Sequence, residues 1–202
     1  NILLLFAHPA YHRSHANLRL VEATQDLPGV TFHDLYEEYP DFNIDVPREQ
    51  ELLLAHDIVV FQHPYYWYSA PALLKEWQDL VLEYGFAYGA GGDRLHGKRL
   101  LSAITTGAGG QAYSRDGSNY FTIHELLAPV HQLARFCGMR WLPPFVVHGT
   151  LQEGDEYFRA AAGVYRAALE GLCDGTLLVD DLAAESVLND ALPTTRPGID
   201  AR

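Results

Sequence analysis

Basic residues are scarce in this chain: 14 lysines and arginines face 26 aspartates and glutamates, a formal net charge of −12. Nucleic acid wants a basic face, so this deficit argues against it, and it disfavours adsorption to an anionic lipid surface. Long apolar runs are missing too; none approaches the ~18 residues that a spanning helix requires. No basic n-region or cleavage signal is present, and NILLLFAHP reads as a strand rather than a secretory leader. The expected location is the cytoplasm, peripheral to the inner membrane only through a protein partner. Cysteine occurs twice, as Cys137 and Cys173, at no motif spacing, which reads as two reduced thiols. What is present is globular in character. With 202 residues, 48% hydrophobic and 12% aromatic, the chain can bury one core and is short for two.

Two periods alternate along the sequence. Apolar runs near residues 2–7, 30–35, 58–62, 100–106 and 140–147 read as strands, and their continuity suits parallel strands covered on both faces. Between them lie helix signals. Ser14 caps a segment reaching about residue 26, and residues 47–55 form a short helix. Residues 70–83 carry the stripe Leu73, Leu74, Trp77, Leu80 and Val81. Thr122 and Glu125 form a capping box for a helix that Gly138 stops just after Cys137, and residues 153–173 complete the series. This alternation predicts an α/β fold, a doubly wound five-stranded parallel sheet with helices on both faces. The Gly-rich stretch GFAYGAGGDRLHGK is expected as a surface loop near the ligand crevice. Residues 1–175 form the expected domain. Residues 176–202 form a tail without lysine, in which DDLAAESVLNDAL suggests one weakly amphipathic helix; it is expected to pack on a dimer partner.

Doubly wound sheets bind ligands outside the carboxyl ends of their strands, which directs attention to residues 8–17, 63–70 and 105–119. The first loop, AHPAYHRSHAN, has no glycine and so cannot carry the G-x-G-x-x-G dinucleotide fingerprint. It offers His8, Ser14, His15 and Asn17 around a helix N-terminus, a site for one phosphate. Ordinary capping by Ser14 with solvent-facing histidines explains the same residues equally well. His8, His12 and His15 have a turn between them and no nearby carboxylate or thiol, so no metal is expected. In the second loop, Tyr65, Tyr66, Trp67 and Tyr68 lie between Pro64 and Pro71. Such rings stack on a flat heterocycle while loop backbone reads its polar edge; the alternative is an apolar dimerisation patch. The third loop, TTGAGGQAYSRDGSNYF, leaves its strand through Thr105, Thr106 and Gly107, small enough for close backbone approach. Tyr113 then presents a phenol, a hydrogen-bond donor to developing charge, and the alternative is a mobile surface loop. Together the three loops describe a mononucleotide bearing a flat ring, with FMN the first candidate.

The segments AHP…SHAN, YPDFNID, QHPYYWYSAPALLKEW, HGKRLL…TTG and CGMRWLPPFVVHGT jointly resemble the flavodoxin-like NAD(P)H:quinone oxidoreductases. DT-diaphorase is a more distant member, and the ancillary subunits of bacterial glutathione-regulated potassium efflux systems are especially similar. The resemblance covers residues 1 to about 173. It implies a homodimer with one flavin per subunit at the interface, FMN or, as in some relatives, FAD. NAD(P)H would deliver hydride and leave, and a quinone would then take two electrons at the same face. It also implies that His8, Ser14, His15, Ala16 and Asn17 contact the phosphate and ribityl chain. Tyr65, Tyr66, Trp67 and Tyr68 would form the ring wall, and Thr105, Thr106, Gly107 and Ala108 the close-approach loop. Two departures stand out. Ala108 replaces a glycine common in the family, and Asn119 stands where DT-diaphorase-like relatives carry a histidine that works with the tyrosine matched by Tyr113. The rival reading is a regulatory subunit that docks on a membrane potassium antiporter, with flavin as a structural or sensing element.

Overall fold

The computed structural model describes residues 1–177 and 186–192. Strands β1 (Ile2–Phe6), β2 (Val30–Asp34), β3 (Ile58–Pro64) and β4 (Arg99–Thr105) form a parallel sheet, joined by β5 (Arg140–Trp141) and β6 (Phe145–Val147). The order is β2-β1-β3-β4, with β5 and β6 both pairing the far edge of β4, the doubly wound order 2-1-3-4-5. The expected fifth strand over 140–147 is thus two pieces. Pro143 and Pro144 lie between them and cannot donate to the ladder.

Helices α1 (His15–Thr24), α2 (Leu35–Glu38), α3 (Val46–Ala55), α4 (Ala72–Val81), α5 (Ile123–Leu126), α6 (Ala128–Phe136) and α7 (Asp155–Asp174) link the strands. Two are unexpected as separate elements. The short α2 is capped by Asp34, whose Oδ1 accepts from the N–H groups of Tyr36 and Glu37. The helix opened by the Thr122–Glu125 capping box breaks at Leu127, because Pro129 brings no N–H for the next intrahelical bond. It ends at Gly138, whose φ of 68° is left-handed.

Alternate strand residues face opposite layers. Ile2, Leu4, Phe6, Val60 and Ala103 pack against α1 and α7, while Leu3, Leu5, Val59 and Phe61 pack against Leu53 of α3, Leu73, Leu74 and Trp77 of α4 and Ala134 of α6. The second layer buries one carboxylate. Glu49 receives hydrogen bonds from His33 Nε2 (2.8 Å), Tyr39 Oη (2.6 Å) and Trp77 Nε1 (2.7 Å). These donors account for the tolerance of a charge there.

The Gly-rich stretch lies away from the crevice. It closes with the Gly97 N–H on the Gly138 carbonyl and leads directly into Arg99, which places it at the amino ends of the strands. In the tail, residues 186–192 pack against the same chain. Leu188 is fully buried in the α1–α7 layer, and its N–H donates to the Pro144 carbonyl. Asn189 pairs with both the N–H and the C=O of Val146 at 2.9 Å each. The rest of the expected tail helix lies outside the described residues.

Candidate functional site

The carboxyl ends of β1, β3 and β4 and the loop after β6 enclose a cleft of about 520 Å³, within the range of small-ligand sites. Its first wall is the entry to α1. Ser14 caps the helix, its Oγ accepting from the N–H of Asn17 at 3.3 Å and from Asn17 Nδ2 at 3.1 Å. Asn17 Nδ2 also reaches Thr105 Oγ1 at 3.0 Å, tying helix to strand. Asn17 Oδ1 is left buried with no partner, and among the described residues the N–H groups of His15 and Ala16 meet no acceptor. His15 and Ala16 line the cleft together with Arg13, a residue outside the sequence-based set. Arg13 has no ion-pair partner among the described residues. Although the chain carries 26 acidic residues, no aspartate or glutamate lines the cleft, whose basic members are His8, Arg13 and His15. An anionic ligand therefore meets locally favourable charge in a strongly acidic protein.

His8 is buried, and its Nδ1 accepts from the Ala10 N–H at 3.0 Å, so a neutral ring carries its proton on Nε2. Burial lowers its pKa and keeps it neutral. His12 is exposed with its ring against Tyr11, and among the described residues no cluster of three or more metal-ligand side chains exists.

The second wall is the aromatic loop after β3. Tyr66 to Ser69 form a tight turn closed by the Ser69 N–H on the Tyr66 carbonyl at 3.0 Å. Trp67 and Tyr68, its two central residues, have φ of 48° and 62°. That combination belongs to a type I′ turn, which Asn-Gly usually fills. Bulky side chains in the left-handed region are strained, and such strain gathers at functional sites. Its product is display: Trp67 stands 93% exposed at the cleft, and the N–H groups of Trp67 and Tyr68 have no acceptor among the described residues. The four rings do not form one wall. Tyr65, Tyr66 and Trp67 line the cleft, with Tyr65 pinned through its hydroxyl to the Leu126 carbonyl and its pKa pushed up to about 12 by burial. Tyr68 lines a second groove of about 490 Å³ between α4 and α6 and donates to Asn119 Oδ1 at 2.9 Å.

The third wall is the end of β4. Thr105 and Gly107 line the cleft; a Cβ on Gly107 would come within 3.1 Å of Leu151 Cδ1, so glycine keeps the passage open. Ala108 and Thr106 face the other way. The Thr106 hydroxyl donates to the Ala108 carbonyl at 3.0 Å and contacts His148 Nδ1 at 2.9 Å. The N–H groups of Gly149 and Thr150 donate to the carbonyls of Ala108 and Thr106, lacing the β6–α7 loop onto this one. Thr150 and Leu151 consequently form a fourth wall that the sequence reading did not name, although they follow the carboxyl end of a strand like the rest. Tyr113 is half-buried beside this wall. Burial raises the pKa of its phenol.

Comparison with known proteins agrees with the fold. The flavodoxin-like fold family matches residues 1–169. The chain belongs to this flavodoxin-like family. It is 48% identical over 164 residues, 81% of this chain and 90% of the relative, to the glutathione-regulated potassium-efflux system ancillary protein KefG of Enterobacter sp. (strain 638). Among solved structures it resembles general stress protein 14 of Treponema denticola in complex with FMN, at TM-score 0.80 and 35% identity, over 85% of this chain and 99% of that one. An NADPH-quinone reductase from P. pentosaceus superposes at TM-score 0.75 and 34% identity, over 82% and 95% of the two chains.

Proposed function

We propose that the chain is an FMN-dependent NAD(P)H:quinone oxidoreductase that works as a homodimer. The observation that carries this reading is the division of the cleft. One end gathers free N–H groups, Arg13 and no carboxylate, suited to a phosphate dianion; the other presents Tyr66 and Trp67 beside unpaired turn N–H groups, suited to a flat polar ring. FMN binding in the Treponema denticola relative supports FMN over FAD.

FMN, when bound, would supply the two-electron chemistry, taking hydride from NAD(P)H and passing it to a quinone. The protein orients and balances charge. Gly107 allows close backbone approach, and the free N–H groups at the turn are donors that need no reorganisation as charge develops. Neutral His8 supports the Tyr66 wall, with Nε2 3.5 Å from the Tyr66 hydroxyl oxygen. The groove between α4 and α6, where Tyr68 and Phe136 are each more than half exposed, is the proposed subunit contact.

A second reading has its own support in the relative named as an ancillary protein of a potassium-efflux system: a regulatory subunit docked on a membrane antiporter. Among the described residues no helix is long and apolar enough to cross a membrane, so such an association would run through protein contacts. The test is direct. Purified protein should absorb in the flavin bands, release about one FMN per chain on heating, and oxidise NADH with menadione as acceptor. Colourless protein that takes up neither FMN nor FAD overturns the flavin reading, and yellow protein without turnover favours the regulatory one.

A further inference from the structure

The two-electron reaction proposed above balances as NAD(P)H + H⁺ + quinone → NAD(P)⁺ + hydroquinone. Over the two half-reactions one solvent proton is taken up, in a protein of net charge −12. Asn119 has no proton to gain, and its Oδ1 is committed to Tyr68. A different side chain occupies the vicinity of Tyr113. The His148 ring, at the end of β6, lies 5.3 Å from the Tyr113 ring with 32° between planes. Thr106 has one hydroxyl hydrogen and gives it to the Ala108 carbonyl, so in the 2.9 Å contact His148 Nδ1 is the donor. A neutral His148 then has a bare, basic Nε2. Tyr113 from the β4 loop is the titratable group against the ring; nearby, Glu153 of the same loop sits against Gly149, and Tyr157 of α7 reaches the His148 main chain. These neighbours include one carboxylate and no cation, so no local charge opposes an imidazolium.

We propose that His148 is a positioning residue for flavin reduction: through Thr106 it fixes the β4 loop behind Tyr113, and its Nε2 holds the solvent proton while negative charge resides on the bound flavin. Burial lowers the pKa of the resting ring, which leaves it neutral and ready to accept. In the second half-reaction that proton leaves with the two electrons to complete the hydroquinone. The inference rests on the flavin reading above.

The test follows the histidine itself. Ring nitrogen signals of FMN-loaded protein are titrated by NMR, oxidised and then reduced anaerobically with dithionite. His148 should titrate at higher pH in the reduced protein, by about tenfold in proton affinity. The midpoint potential should accordingly fall more steeply with pH between the two titration points. His148→Asn keeps an N–H donor near the Nδ1 position but cannot titrate; its potential should lose that extra pH dependence while FMN affinity holds. Identical His148 titrations in both redox states, or an unchanged potential–pH curve in His148→Asn, overturns the proposal. If the variant fails to fold, the wild-type titration decides alone. Protein that never takes up FMN overturns the flavin reading and this inference together, whereas FMN-loaded protein with an unmoved His148 overturns only the inference.

Discussion

Replacing Trp67 by asparagine should make the apoprotein more stable and the cofactor site worse. Trp67 sits at φ of 48°, where an L side chain costs roughly 1–2 kcal/mol and asparagine much less. Because the ring is 93% exposed, its removal forfeits almost no burial. The net gain is about 1 kcal/mol, or ~2–4 °C in melting temperature for a domain of this size. The same change removes a stacking surface worth roughly 1–3 kcal/mol to a planar ring, which weakens FMN binding by about five- to 150-fold. Thermal unfolding of apoprotein and titration of FMN by quenching of its fluorescence measure the two effects separately. Opposite signs are what strain held for function requires. If the apoprotein loses stability instead, Trp67 holds the turn together rather than straining it. If FMN affinity is unmoved, the ring is no part of the cofactor wall.

Three further outcomes test other parts of the site and fold. Tyr113→Phe should slow flavin reduction by about ten- to several hundred-fold in anaerobic stopped flow, with flavin content retained, since a donor to developing charge matters most in the transition state. A parent-like rate would pass the role to backbone N–H groups. Arg13→Gln should weaken FMN by about tenfold while leaving riboflavin binding unchanged and flattening the salt dependence, as loss of a phosphate-facing cation demands; equal losses for both ligands would place Arg13 elsewhere. Leu188→Ala should cost about 2–5 kcal/mol in urea unfolding of the subunit, because Leu188 is fully buried in its own core. Unchanged subunit stability would return the tail to a partner-facing role.

The layered sheet was legible because its strands are continuous apolar runs and its helices carry strong local punctuation, in Ser14 and in the Thr122–Glu125 pair. Local signals with tertiary consequences were harder to read. Pro143 and Pro144 are plain in the sequence, yet whether they bend or split a strand depends on which edge their missing N–H would face. Asp34 ends a strand and caps a helix at once, and only the dihedral change after it shows which. At the site, the carboxyl-end rule reached the α1 entry, the aromatic turn and the β4 loop. It applied equally to Thr150 and Leu151, whose bland composition gave no reason to look. The direction of Tyr68 was beyond pattern reading, since positive φ at two consecutive non-glycine residues is set by the turn closure. His148 was likewise invisible as a neighbour of Tyr113, because 35 residues and a sheet crossing separate them in sequence.

The seating of residues 186–192 bears on a hazard common to open sheets. β6 pairs with β4 on one side, and its other side would expose the N–H and C=O of Val146 as a template for a foreign strand. Asn189 answers both groups with its single amide, and Leu188 takes the Pro144 carbonyl. A side-chain amide thus imitates the peptide group of a missing neighbour strand, yet it offers no ladder on which a second chain could continue. The seal acts as protection against edge-to-edge aggregation, and it makes the chain's own C-terminal segment the competitor that any strand-adding partner must displace.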